Sequence, residues 1–311
     1  MAASGTKTVI YAALIGNGLI SITKFAAAAF TGSAAMFAEG IHSVVDTGNQ
    51  GLLLYGLRRA KRPADERFPF GHGKEIYFWS FVVAILIFAL GSGISMYEGI
   101  HRVMHPSEVT SPLINYLVLG AALIFEGFAW YMAWKEFRAQ QGDRTFTGAI
   151  KASKDPTTFV VLFEDSAAML GLVVAGIGLF LNQMLEMPVF DGIASISIGV
   201  ILGATAICLA IRTKSLLIGE AADPELVEDV RRRAAALPAS MSVNEVLTLH
   251  MGPHFVLLNV SIDFADSMPA GEIEKTVENL TRDIREAHPD IKRVFVEAES
   301  KADSAGASEE S

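Results

Sequence analysis

The chain has 311 residues, is 51% hydrophobic and 19% charged, and carries a net charge of −9. Soluble domains are about 45–50% apolar even with glycine counted in, so this composition places most of the chain in a bilayer. Residues 1–218 hold 16 Lys and Arg against 15 Asp and Glu, whereas residues 219–311 hold 9 against 19, so the negative charge falls on the second part. An acidic end of this kind argues against nucleic acid as a partner. The one cysteine, Cys208, lies in an apolar run, which excludes a disulfide framework and a thiolate zinc site.

A membrane helix needs about 20 mainly apolar residues, and six stretches qualify: 8–30, 33–57, 76–103, 112–134, 157–183 and 190–211. The first is too long for a signal-peptide core and no cleavage site follows it. Thr31-Gly32 is so short a link that the first two helices form a tight antiparallel hairpin. The connection after the second helix carries Arg58, Arg59, Lys61, Arg62, Arg67 and Lys74, and that after the fourth carries Lys135, Arg138, Arg144, Lys151 and Lys154. The connections after the first and fifth carry none, so the positive-inside rule puts both termini in the cytoplasm. The lack of an Arg-rich leader favours a prokaryotic plasma membrane. Gly91 and Gly93 in the third helix, and Gly171, Gly176 and Gly178 in the fifth, suit close helix packing.

Residues 1–214 thus form the expected transmembrane domain, and 215–300 read as a soluble α+β domain. Asp223-Pro224 opens a helix over 225–237, and 243–249 and 255–264 read as strands joined at Met251-Gly252-Pro253. The second strand alternates Val256, Leu258, Val260 and Ile262. Residues 271–287 form an amphipathic helix and 293–298 a last strand, giving the order αββαβ. Residues 301–311, rich in Ser, Ala, Gly and Glu, are expected to be disordered.

Chemistry concentrates in two apolar stretches. Glu39, His42, Asp46 and Asn49 recur on one stripe of the second helix, and Glu164 and Asp165 interrupt the fifth. A carboxylate at mid-bilayer costs about 2.5–3.5 kcal/mol on insertion scales, and a metal cation is the simplest compensation. For a lone intramembrane histidine a polar helix contact would serve equally well. His42 and Asp46, four apart, can close on one ion. Glu126, in the fourth helix without a cationic partner there, joins Asn17 and Lys24 as candidates to line an ion or proton path. The alternative for Lys24 is a snorkel toward the interface. Asp191 reads as a cap at the start of the sixth helix.

Several motifs resemble the cation diffusion facilitator family of divalent metal transporters. They are Gly32-Ser33, Glu39-Gly40-Ile41-His42-Ser43-Val44-Val45-Asp46, Arg62-Pro63-Ala64-Asp65-Glu66, Phe70-Gly71-His72-Gly73-Lys74 and Gly219-Glu220-Ala221-Ala222-Asp223-Pro224. The resemblance implies six helices, a cytoplasmic metallochaperone-like domain, a homodimer, and metal-for-proton antiport out of the cytoplasm. It also implies a transport site of two ligands four apart on each of helices two and five. His42 and Asp46 match the first pair and Asp165 matches one member of the second. The other member is replaced by Val161, and Glu164 is the candidate substitute. With Asn49-Gln50, this departure resembles the divergent branch that includes zinc transporter nine. Asp65 and His72 match a weak second site in the loop after helix two, where Phe68 stands in place of a third ligand. Domain positions that bear metal-binding histidines in the family read Asn244, Ser261 and Glu297 here, so a structural, dimer-forming domain is expected.

The expected function is efflux of a divalent cation, zinc best matching an imidazole among carboxylates and manganese, iron or cobalt remaining open. Partners are the metal, protons, the bilayer and a second copy. No cofactor or catalytic machinery is expected, because a nucleotide-binding loop and a His-Glu-x-x-His motif are both missing. The rival reading is a metal-regulated membrane scaffold with a vestigial site and a partner-recruiting cytoplasmic domain.

Overall fold

The computed structural model describes residues 2–106, 108–109, 111–142, 144–237 and 241–300, without the side chains of 2–16, 140, 147 and 151. The expected disordered end, 301–311, lies outside them. The chain divides into two compact units, one of Met1–Arg59 with Glu75–Lys214, the other of Ala60–Lys74 with Ser215–Ser311.

The first unit is helical. It contains α1 (Ala2–Thr31), α2 (Ala34–Ala60), α3 (Glu75–Leu86), α4 (Gly93–Met104), α5 (Pro112–Gln141), the short α6 (Phe146–Ala152), α7 (Pro156–Leu185) and most of α8 (Val189–Ile218). Among the described residues, Glu75–Met104, Pro112–Ala139, Pro156–Leu185 and Val189–Ile218 are long and apolar enough to cross a membrane. The polar stripe of α2 lowers its mean hydropathy, and α2 is not one of the four.

The stretch expected as one helix over 76–103 is interrupted by a π-helical segment, Ile87–Ser92. There Gly91 and Ser92 face Leu202 and Gly203 of α8, a close contact that a wider backbone turn accommodates. The α4–α8 crossing is closer still. A Cβ on Gly99 would stand 2.6 Å from the backbone N of Ile196, and Ser195 donates to the Ser95 carbonyl at 2.8 Å. Small residues let the two backbones meet, and the hydroxyl supplies the polar contact. Asp155 caps α7 by accepting from Thr157 N at 2.9 Å, with Pro156 at the first helical position where its missing N–H costs nothing.

The second unit orders its elements α9 (Pro224–Ala235), β1 (Met241–Gly252), β2 (Phe255–Phe264), α10 (Ala270–Ala287) and β3 (Ile291–Ala298). The sheet order is β1-β2-β3, with β1 and β2 antiparallel and β2 and β3 parallel. A parallel neighbour requires a crossover, which α10 provides. Val256, Leu258, Val260 and Ile262 are buried on one face with Val230 of α9 and Leu280 and Ile284 of α10. Residues 60–74 join this unit. Gly73 approaches the Met251 carbonyl so closely that no side chain fits, Phe70 meets Phe295 edge to face at 6.4 Å, and Lys74 Nζ lies 3.4 Å from the carbonyls of Leu217 and Ile218.

Candidate metal centre

On α2 the helical repeat brings His42 Nε2 to 3.4 Å from Asp46 Oδ2, with both side chains almost wholly out of solvent. Neither ring nitrogen of His42 has a hydrogen bond, and Asp46 Oδ1 and Asn49 Oδ1 are equally unmatched among the described residues. Buried polar atoms are normally paired, so this run of unmatched atoms marks a place that a ligand would complete.

α7 contributes Glu164 and Asp165, both buried. Glu164 reaches the α2 stripe at Asn49, whose Nδ2 donates to its Oε1 at 2.7 Å. The carboxylates of Glu164, Glu126 and Asp165 all lie close enough to act on the charge of Asp46, and Glu126 of α5 acts also on Asp165. Four acidic side chains from three helices therefore share one buried region. Among the described residues, however, no three His, Cys, Asp or Glu side chains are gathered closely enough to hold an ion together. His42 and Asp46 meet, Glu164 meets Asn49, and Asp165 stands off at electrostatic distance.

Glu39, on the same stripe, has a different partner. Lys24 of α1 donates to Glu39 Oε2 at 3.0 Å and to Ser43 Oγ at 2.8 Å, and its side chain has no exposure. The snorkelling alternative is thereby corrected: an ammonium held between two α2 acceptors places two of its three protons without reaching water. Asp191 is corrected too. Although it lies in the first turn of α8, its carboxylate accepts from Ser33 Oγ, Ala34 N and Ala35 N, so it caps α2. Ser43 and Gly171 were not singled out for the centre. The first lies one turn from Glu39, and the second leaves room for Glu39 Oε1 against α7. The i, i+4 spacing of Glu39 and Ser43 was the available signal for Ser43.

In the loop, His72 Nε2 lies 2.9 Å from Asp65 Oδ2, and the Phe68 and His72 rings meet at a tilt with centroids 4.6 Å apart. Asp65 also accepts from the backbone N–H groups of Phe68 and Arg67. The His72 contact first, then those amides, holds the Asp65 carboxyl below its usual range. In the sheet, Asn244 Nδ2 donates to Ser261 Oγ at 3.2 Å, which donates in turn to Glu299 Oε2 at 2.7 Å, while Asn259 Nδ2 donates to Glu297 Oε2 at 3.2 Å. These groups satisfy one another.

Apolar helices of membrane length, with buried acidic and imidazole side chains among the helices of the same unit, define an integral membrane protein. Residues 10–218 match the cation efflux transmembrane domain, and the chain belongs to the cation efflux family, one of transporters and not of enzymes. It is 34% identical over 262 residues to the proton-coupled zinc antiporter SLC30A9, mitochondrial, of Mus musculus, covering 84% of this chain and 46% of that protein. It is 32% identical to metal tolerance protein C4 of Arabidopsis thaliana, over 85% of this chain and 58% of that protein. It is 23% identical to the magnetosome protein MamB of Paramagnetospirillum magneticum over 93% of each. The chain spans less than half the length of the SLC30A9 relatives it matches.

Proposed function

We propose that the chain exports a divalent cation, zinc foremost, from the cytoplasm in exchange for protons by alternating access. The observation that carries this reading is the buried cluster of Asp46, Glu126, Glu164 and Asp165 beside the unmatched His42 nitrogens. In a bilayer interior such a cluster calls for a cation. The zinc antiporters among its relatives support the choice of ion and counter-ion.

In this reading α1, α2, α3 with α4, α5, α7 and α8 are six spans, with both termini in the cytoplasm of a prokaryotic plasma membrane. The second unit is a metallochaperone-like dimerisation domain. His42, Asp46 and Asp165 are ligands, and Glu164 replaces the one lost at Val161, with Asn49 positioning it. Glu39, Asp65 and His72 carry structural contacts. Cytoplasmic metal enters while the ligands are deprotonated, and protons arriving from the other side compete for the same atoms and expel it. The scaffold reading is favoured by one observation, the absence of a three-ligand group among the described residues.

Flux decides between them. Purified full-length chain in proteoliposomes, loaded with zinc, manganese, iron or cobalt in competition across a set pH gradient, should move zinc first and dissipate the gradient. Binding without flux of any of these ions supports the scaffold. Flux insensitive to the gradient removes antiport.

A further inference from the structure

Lys24 contacts Glu39 and Ser43 at the edge of the acidic cluster, and the proposed exchange of metal for protons does not use it. Its ammonium is closed in. Glu39 and Ser43, one helical turn apart on α2, both accept from it, and Ser43 is next in the chain to His42 and three residues before Asp46. It acts on the charges of His42 and Asp46 from α2 and of Glu126 from α5. Glu39 cannot retreat from it, because Glu39 Oε1 lies directly against Gly171 of α7, where even a Cβ would collide. That same oxygen has no hydrogen-bond partner among the described residues.

We infer that Lys24 is a resident counter-cation of the metal centre, held at its edge by Glu39. It balances part of the acidic cluster when no metal is bound, and it limits the affinity for a dication so that the ion can leave. This rests on the transporter reading and deepens it. The physics is that of fixed charge in a poorly screened interior. A carboxylate cluster strong enough to strip a dication of its water would hold it too long, and a neighbouring positive charge that the metal cannot displace weakens every metal-bound state. A pin that merely joined α1 to α2 would leave metal affinity alone, or lower it when cut by disordering α2.

The two members of the pair should therefore shift affinity in opposite directions. Zinc is titrated calorimetrically into the purified full chain in detergent, and zinc uptake is measured in proteoliposomes. Lys24→Met should tighten zinc binding by about tenfold or more and slow maximal uptake, lowering KM and kcat together. Glu39→Gln should weaken binding, because the lysine is then unopposed. Lys24→Met alone strands Glu39 in the interior, so a second comparison separates loss of fold from loss of charge. The comparison is then between Lys24→Met/Glu39→Gln and Glu39→Gln, and the double variant should bind zinc more tightly. Unchanged or weaker binding on removal of Lys24 in both backgrounds overturns the inference while leaving wild-type zinc flux, and with it the transporter reading, intact. Failure of the wild type to bind or move zinc overturns both.

Discussion

Asp191→Ala should destabilise the helical unit more than any single loss at its surface. The start of α2 shows why. Ser33 is its N-cap, accepting from Met36 N at 3.2 Å through its hydroxyl and from Phe37 N at 3.1 Å through its carbonyl. The N–H groups of Ala34 and Ala35 would remain unmatched, and Asp191 accepts them at 2.5 and 3.3 Å, taking the Ser33 hydroxyl at 2.5 Å as well. All the free donors of the first turn are thus matched by one capping serine and one carboxylate from another helix. Hydrogen bonds to a charged acceptor are each worth about 1.5–3 kcal/mol net, and the losses are not additive, so truncation should cost about 3–5 kcal/mol. Arg102 Nε, 3.6 Å from the same carboxylate and nearly buried, loses its counter-charge in the variant. At about 2–4 °C per kcal/mol for a domain of this size, the melting temperature in detergent should fall by roughly 10 °C. Hydrogen exchange should show the Ala34 and Ala35 amides losing protection. Asp191→Asn keeps one acceptor oxygen and should lose less. A melting temperature within about 2 °C of wild type, or unchanged protection at those amides, would refute this account of the α2 cap.

Asp46→Ala and Asp165→Ala should each abolish zinc flux while the chain still inserts and elutes as a folded species, since removing a buried carboxylate relieves desolvation. Wild-type flux in either would discard the site. Glu164→Gln retains an oxygen that can accept from Asn49, so α2 and α7 stay joined. Zinc affinity should nevertheless drop and the pH dependence of flux flatten, and a variant that keeps both properties, with Val161→His gaining nothing, would make Glu164 purely structural. Deleting residues 219–311 should weaken dimerisation, measured by sedimentation, far more than zinc affinity; the reverse order would place ligands in the second unit. Arg233, with His288 next, holds the Asp229 carboxyl down to about 2. A depressed acid contributes its full stabilisation above the unfolded value of about 4 and loses it as pH falls toward the folded one. Asp229→Asn should therefore flatten the acid limb of the second unit's unfolding profile, and an unaltered limb would show that the ion network carries no stability.

Features set by a single element were legible in the sequence. The strict alternation of β2 identified its buried face, and the i, i+4 repeat on α2 paired His42 with Asp46. The sequence predicts β1 over only 243–249 of Met241–Gly252, because register shifts between Val243 and Glu245 and between His250 and Gly252 break its alternation. The π-helical turn at Ile87–Ser92 has no periodic signature either; it answers to packing on α8.

The same division explains the polar residues. The snorkel, one of two alternatives for Lys24, and the own-helix cap, the reading of Asp191, both follow from what an isolated helix can offer such a residue. Both readings failed for one reason: the partner stands on another helix, and only assembly reveals that Lys24 and Asp191 each serve α2. α2 is thus fixed from two sides, by the α8 carboxylate at its first turn and by the α1 ammonium one turn before Asp46. Whatever moves His42 and Asp46 relative to Glu164 and Asp165 has to act against both anchors. Variants at Asp191 should therefore slow zinc uptake in proteoliposomes through α2 even though that side chain is not assigned as a ligand.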